Sequence, residues 1–244
     1  RLVGSEMCIR DSYRRPAMSD KMRIKIFSCI MLTLFFLCAC RTQSVYAKEK
    51  ITVGTNAEYA PFEYLDSDGN LTGFDYELLE AIAQEENLEL EWKDMPFDSL
   101  VGSMETGNIQ IIAAAIGPTK EREKSVDFSD VYYTGSQSIV SSQKTPLYDF
   151  AGLSGKRVAV LEGSQSDFIV SGENTDYGVV ENATVVRFKN AASAVMELKN
   201  GGVNAVLIDT IMAEIYCRQN DDIVYQKVDG TEEDTVYCLS LIHI

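Results

Sequence analysis

One arginine in this 244-residue protein stands where an anion could be held. It is Arg122, in the stretch IIAAAIGPTKEREKSVDFS at residues 111–129. The run of small and branched apolar residues predicts a buried parallel strand that stops at Gly117-Pro118. Thr119 then takes the place of a helix N-cap, with Arg122 three residues on. In an open α/β sheet, ligands bind beyond the carboxyl ends of strands, where free backbone N–H groups and helix starts collect. A guanidinium there is a planar, permanently charged fork that matches a carboxylate. An ordinary strand-turn-helix with a solvated arginine fits the same residues equally well. Asp209 stands at the carboxyl end of a second apolar run, residues 203–208. It also suits the N-cap of the helix expected after it.

Other chemistries are poorly provided for. The single histidine, His243, is the penultimate residue, so no Ser-His-Asp or Cys-His site is expected inside the fold. Of the six cysteines, four lie in or before an N-terminal apolar segment. The remaining pair, Cys217 and Cys238, matches no zinc spacing. No catalytic residue, metal or cofactor is therefore expected. The net charge of −15 argues against nucleic acid or an anionic membrane surface as partner.

The N-terminal segment reads as an export signal. After Met22 come Arg23 and Lys25, then an apolar run at residues 26–37. That run is short of the ~20 residues a spanning helix needs and has the anatomy of a secretory signal. Leu37-Cys38-Ala39-Cys40 resembles a lipobox, which makes residues 22–40 the signal, Cys40 the lipidated residue and residues 41–50 a tether. Cleavage after Val45-Tyr46-Ala47 is the alternative and yields a periplasmic protein. Either way the protein works outside the cytoplasmic membrane, in the first case anchored to it as a lipoprotein. Residues 1–21 are expected to be non-native or upstream. RLVGSEMCIRDS at residues 1–12 and LSLIHI at residues 239–244 resemble translated adapter sequence and carry neither periodicity nor caps.

The elements that would position Arg122 and Asp209 come in two similar series. Residues 51–55 form a short β-type run, interrupted by Tyr59-Ala60-Pro61-Phe62. A turn cluster follows at residues 66–70, then a helix opening at Gly73-Phe74-Asp75. Its apolar face is expected to hold Phe74, Leu78, Leu79, Ile82 and Ala83. A strand at residues 88–93 and a short helix at 97–105 complete a β-α-β-α-β order, which implies right-handed crossovers and a largely parallel sheet. The pattern restarts at Gly155. Strands are expected at residues 158–161, 184–188 and 203–208, and helices through Phe168, at 191–199 and at 210–218.

The collinear set VGTNAEYAPFE from Val53, LTGFD from Leu71, TKER ending at Arg122, VDFS from Val126, LSGKRVAV from Leu153 and NAVLID ending at Asp209 resembles the bacterial extracellular solute-binding proteins of family 3. These are the polar amino-acid substrate-binding proteins of ABC importers. The resemblance covers about residues 50–237 and implies truncation at the C-terminus, with apolar surface expected to be uncovered on the first lobe. It implies a two-lobed α/β fold, periplasmic-binding-protein-like of type II (a Venus flytrap), each lobe a mainly parallel sheet flanked by helices. Lobe 1 would span residues 51–135, a hinge or connector 136–154, lobe 2 155–235, and a truncated return strand 236–244.

The implied function is capture of a polar amino acid by a monomeric, non-enzymatic protein that delivers it to ABC permease subunits in the membrane. By position, Arg122 would grip the ligand α-carboxylate, with Gly117 and Ala115 lending backbone groups, and Asp209 would pair with the α-ammonium. Tyr59 and Phe97 would sandwich the side chain, and Ser164 and Gln165 would add contacts from lobe 2. Asn56 stands where relatives with cationic ligands often have Asp, which favours a neutral polar ligand, while Glu58 keeps a cationic one open. Two alternatives share the fold: a cyclohexadienyl or arogenate dehydratase-like enzyme, and the sensor domain of a receptor.

Overall fold

The computed structural model describes residues 48–172, 180–232 and 235–242; the export signal, Cys40 and His243 lie outside them. Lobe 1 begins with β1 (Glu49–Thr55), whose inner half is buried. A small antiparallel sheet follows, made of β2 (Glu58–Tyr59), β3 (Glu63–Leu65) and β4 (Leu71–Thr72). Its β3–β4 turn is closed by Asp66, whose carboxylate accepts from the amides of Asp68 and Asn70. Then come α1 (Phe74–Glu85), β5 (Leu88–Asp94), a 3₁₀ turn at Phe97–Ser99 leading into α2 (Leu100–Glu105), β6 (Ile111–Ile116) and β7 (Val126–Phe128). β5, β1 and β6 run parallel.

The residues of α1 that turn inward are Asp75, Leu79 and Ala83, at four-residue spacing. Phe74 and Ile82, expected on that face, are exposed. Asp75 can share this stripe with Leu79 and Ala83 because its carboxylate finds two donors in the interior, Ala115 N–H and the Tyr132 hydroxyl.

The backbone crosses to lobe 2 through β8 (Tyr133–Thr134) into β9 (Gln137–Ser142). It continues as β10 (Arg157–Leu161), α3 (Gln165–Ser171), β11 (Thr184–Phe188), α4 (Ala191–Lys199), β12 (Ala205–Asp209), α5 (Thr210–Gln219) and β13 (Ile223–Lys227). The sheet order is β11-β10-β12-β9-β13, with the first three strands parallel and β9 antiparallel to both its neighbours. Gln137–Ser142, which the expected hinge or connector at 136–154 included, therefore belongs to the second sheet. Five of its six residues are buried between β12 and β13. β13 itself carries no clear sequence signal because most of it is exposed at the sheet edge.

β14 (Val236–Ile242) returns to lobe 1 and lies antiparallel to both β6 and β7, so the first sheet reads β5-β1-β6-β14-β7. Leu239–Ile242, part of the expected return strand but adapter-like and without periodicity or caps in the sequence, is a strand in which Leu239 and Ser240 are buried. β6 and β7 have facing hydrogen-bonding edges, and any β-competent segment between them is held from both sides. The two inter-lobe connections run alongside each other: Gly135 N–H donates to the Thr235 carbonyl at 2.7 Å, and Val228 N–H to that of Gln137 at 2.9 Å.

β6 is the element on which the cleft depends. Ile112, Ala114 and Ile116 pack with Leu100 and Met104 on one face, and Ala113 with Val53 and Leu79 on the other. Ala115 joins the cluster of Tyr59, Phe62 and Tyr237. At the end of the strand only glycine fits, because a Cβ on Gly117 would overlap the Val236 carbonyl oxygen.

Candidate functional site

An empty space of ≈ 550 Å³, partly open to solvent, lies between the carboxyl ends of the two sheets. Its wall includes all nine residues singled out in lobes 1 and 2: Asn56, Tyr59, Phe97, Ala115, Gly117, Arg122, Ser164, Gln165 and Asp209. Glu63, Ala114, Ser166, Thr235 and Tyr237 complete its polar and close-approach positions.

Arg122 is buried but begins no α-helix. Thr119 does cap the turn, its hydroxyl accepting from Arg122 N–H at 3.1 Å. Only a 3₁₀ turn, Arg122–Lys124, forms before the backbone re-enters the sheet as β7. The short span between β6 and β7 leaves no room for a longer helix. One guanidinium nitrogen donates to the Gly117 carbonyl and another to Gly163 of lobe 2, both at 2.8 Å. The cation sits between two rings, 5.4 Å from the centroid of Phe97 and 5.7 Å from that of Phe168. Burial lowers its pKa to about 10, so it stays charged at neutral pH. No carboxylate among the described residues forms an ion pair with it. A fixed buried cation whose neighbours are neutral carbonyls and π faces is an anion site in electrostatic terms.

Asp209 ends β12 and precedes α5, yet its side chain makes no capping bond. Its carboxylate instead accepts from the hydroxyls of Tyr59 in lobe 1 and Tyr237 in β14, the latter at 2.7 Å, and from the amide of Gln137. Burial pushes its pKa up, opposed by the hydrogen bonds from Tyr237, Tyr59 and Gln137. Gln137 is oriented in turn by Ser166, whose hydroxyl donates to its Oε1 at 2.6 Å. Tyr59 and Phe97 therefore each face a charged group of the wall: the Tyr59 hydroxyl meets Asp209, and the Phe97 ring packs against Arg122.

The remaining residues of the wall are tied into its frame. Ser164 caps α3 by accepting from Asp167 N–H at 3.3 Å while also lining the cavity, as Gln165 does. Asn56 donates its amide to the Met95 carbonyl at 3.1 Å. Of the backbone groups that Ala115 was expected to lend, its N–H is taken by Asp75 at 2.8 Å, while the residue itself lines the cavity.

Glu63 went unassigned in the sequence. It lies in β3, opposite Tyr59, 1% exposed, with Oε2 lacking a hydrogen-bond partner among the described residues. Burial raises its pKa well above the ordinary value, and the charges of Asp75 and Asp209 raise it further. Tyr237 and Gln137 were also missed. Each is an ordinary strand residue locally, and only its place opposite Asp209 makes it part of the site.

A family model described as bacterial extracellular solute-binding proteins, family 3, matches residues 51–231. The arginine-binding extracellular protein ArtP of Bacillus subtilis (strain 168) is 34% identical over 206 residues, 84% of this chain and 79% of that protein. The solved structure of holo ArgBP from T. maritima matches with a TM-score of 0.70 at 35% identity, covering 79% of this chain and 82% of that one. An ancestral arginine-binding protein bound to arginine matches with a TM-score of 0.72 at 32% identity, covering 81% and 86%.

Proposed function

The chain belongs to the bacterial extracellular solute-binding proteins, family 3, and on that premise we propose that it captures a basic amino acid, arginine foremost. It binds an amino acid outside the cytoplasm for an ABC-type importer, as its relatives do; the identity of the ligand is our reading. The observation that carries it is Glu63, a buried carboxylate with an unpartnered oxygen in the same wall as Arg122 and Asp209. Leaving a buried charge unpaired is expensive. Two acids and one base therefore suit a ligand carrying one negative and two positive groups.

In this arrangement Arg122 holds the α-carboxylate, with Gly117 alongside it. Asp209 takes the α-ammonium while Tyr59, Tyr237 and Gln137 keep its oxygens aimed. Glu63 receives the cationic side chain, and the rings of Tyr59 and Phe97 suit the flat faces of a guanidinium. Asn56, Ser164 and Gln165 supply neutral polar contacts. Arg122 lies in lobe 1 and Asp209 in lobe 2, so the ligand bridges the lobes and favours their closed arrangement by differential affinity. We take the protein to be a non-enzymatic monomer, tethered through Cys40 or released by cleavage after Ala47.

Calorimetric titration with the twenty amino acids tests the reading. Arginine is expected to bind tightest, with lysine and histidine behind it. Glu63 and Asp209 have raised pKa values without ligand and must be ionised to hold cations. Binding should therefore release protons, making the apparent enthalpy depend on the buffer's ionisation enthalpy, and affinity should fall as pH is lowered through the raised pKa values of the two acids. Tightest binding of a neutral amino acid, with no competition from arginine, would overturn the assignment.

A further inference from the structure

Asp75 is fully buried, yet it is not part of the cavity wall. Its Oδ2 accepts from Ala115 N–H at 2.8 Å, and the Tyr132 hydroxyl lies 2.8 Å from each of its oxygens. Ala115 has φ of +46°, a left-handed conformation that crowds the Cβ of an L-residue against the following carbonyl oxygen and is rarely adopted without support. The strain sits where β6 leaves regular pairing. Ile116 pairs with Cys238 and Ile112 with Ser240, so four steps along β6 match only two along β14. Such a bulge frees an amide from the ladder, and Asp75 receives it through a charge-assisted bond.

We propose that Asp75 is a positioning residue for ligand binding, holding the bulge of β6 so that Gly117 and Arg122 face the cavity. The proposal rests on the role given to Arg122 above. The Gly117 carbonyl that orients the Arg122 guanidinium is two residues beyond the bulge, with Gly117 itself wedged against Val236. Relaxation of β6 into regular pairing would take up the two extra residues and slide this segment by up to ~6.6 Å, two residues' rise at ~3.3 Å each. A guanidinium fork cannot follow a displacement of that size and still meet the same carboxylate.

The full-length protein carrying Asp75→Ala or Asp75→Asn is titrated with arginine well below its melting temperature, and amide exchange at Ala115 is followed by NMR. Asp75→Ala should weaken binding tenfold or more and leave the Ala115 amide unprotected. Asp75→Asn keeps an acceptor for that amide and a donor for Tyr132, so it should retain protection and bind within threefold of wild type. Wild-type affinity in Asp75→Ala, or equal losses in both variants, would overturn the positioning role. Should Asp75→Ala fail to fold, a tenfold loss in Asp75→Asn with the Ala115 amide still protected overturns it on its own. The same titration with Arg122→Ala separates the two levels: normal binding by that variant rejects the clamp itself, whereas lost binding there leaves the Asp75 variants to report on positioning alone.

Discussion

Arg122→Ala is expected to abolish measurable arginine binding while leaving a folded protein. Among the described residues the guanidinium is the only buried cation in the cavity wall, and its loss strands the ligand's carboxylate in a partly dehydrated space. Truncating one partner of a buried, hydrogen-bonded charge pair costs about 2–5 kcal/mol or more, which corresponds to at least ~30-fold at 1.4 kcal/mol per decade. Stability without ligand should change much less. Among the described residues the guanidinium's partners are two carbonyls and two rings, and relief of its desolvation offsets the bonds that are lost. Arg122→Lys should fare little better than alanine, because an ammonium cannot span the Gly117 and Gly163 carbonyls and present a flat face to Phe97 and Phe168. Calorimetry together with melting curves with and without arginine provides the check. An affinity within tenfold of wild type would remove Arg122 from the site.

Glu63→Gln should act in opposite directions on stability and on binding. Without ligand, the variant no longer buries an unpaired acid in the field of Asp75 and Asp209, and it should be more stable than wild type at neutral pH. The sign follows from linkage. A carboxyl whose folded pKa is raised contributes its stabilisation fully below the unfolded pKa and loses it as pH rises through the folded value. The advantage of the variant should therefore be absent near pH 4 and grow on titration upward. For arginine, loss of the charge partner should weaken binding by about 2–4 kcal/mol, roughly 30- to 1000-fold. Glutamine, which brings no side-chain charge, should lose little or bind better. Melting temperature against pH and a two-ligand titration measure both effects. Equal losses for arginine and glutamine would mean that Glu63 supports the wall without reading the side chain.

The two predictions rest on residues of unequal legibility. Arg122 announced itself through local pattern: an apolar run, a Gly-Pro break, a capping threonine and an arginine three residues after it. The pattern placed it correctly at the mouth of β6 but overstated the element it opens, since the expected helix contracts to a 3₁₀ turn when β7 must begin at Val126. Asp209 was visible at a strand end, although its capping potential pointed as readily to a local role. Its three side-chain partners, none of them a helix amide, exclude that role. Phe74 and Asp75 illustrate the reverse error. Periodicity assigned the aromatic to the interior and gave the acid no place there, whereas Asp75 is buried and Phe74 is about half exposed.

The order of apolar runs, glycine breaks and caps by itself determined the two parallel-sheet series, their helices and the presence of one cation and one anion at strand ends. These follow from interactions between residues close in sequence, where side-chain period and backbone preference suffice. Only the tertiary structure decided that Glu63 is left unpaired in the same cavity, that Tyr59 and Tyr237 both donate to Asp209, and that Asp75 leaves solvent for the amide of Ala115. The Tyr59–Asp209 bond spans 150 residues and the Asp75–Ala115 bond spans 40. The charge state and partners of a buried acid depend on what the whole fold packs around it, and no periodicity within a short window carries that information.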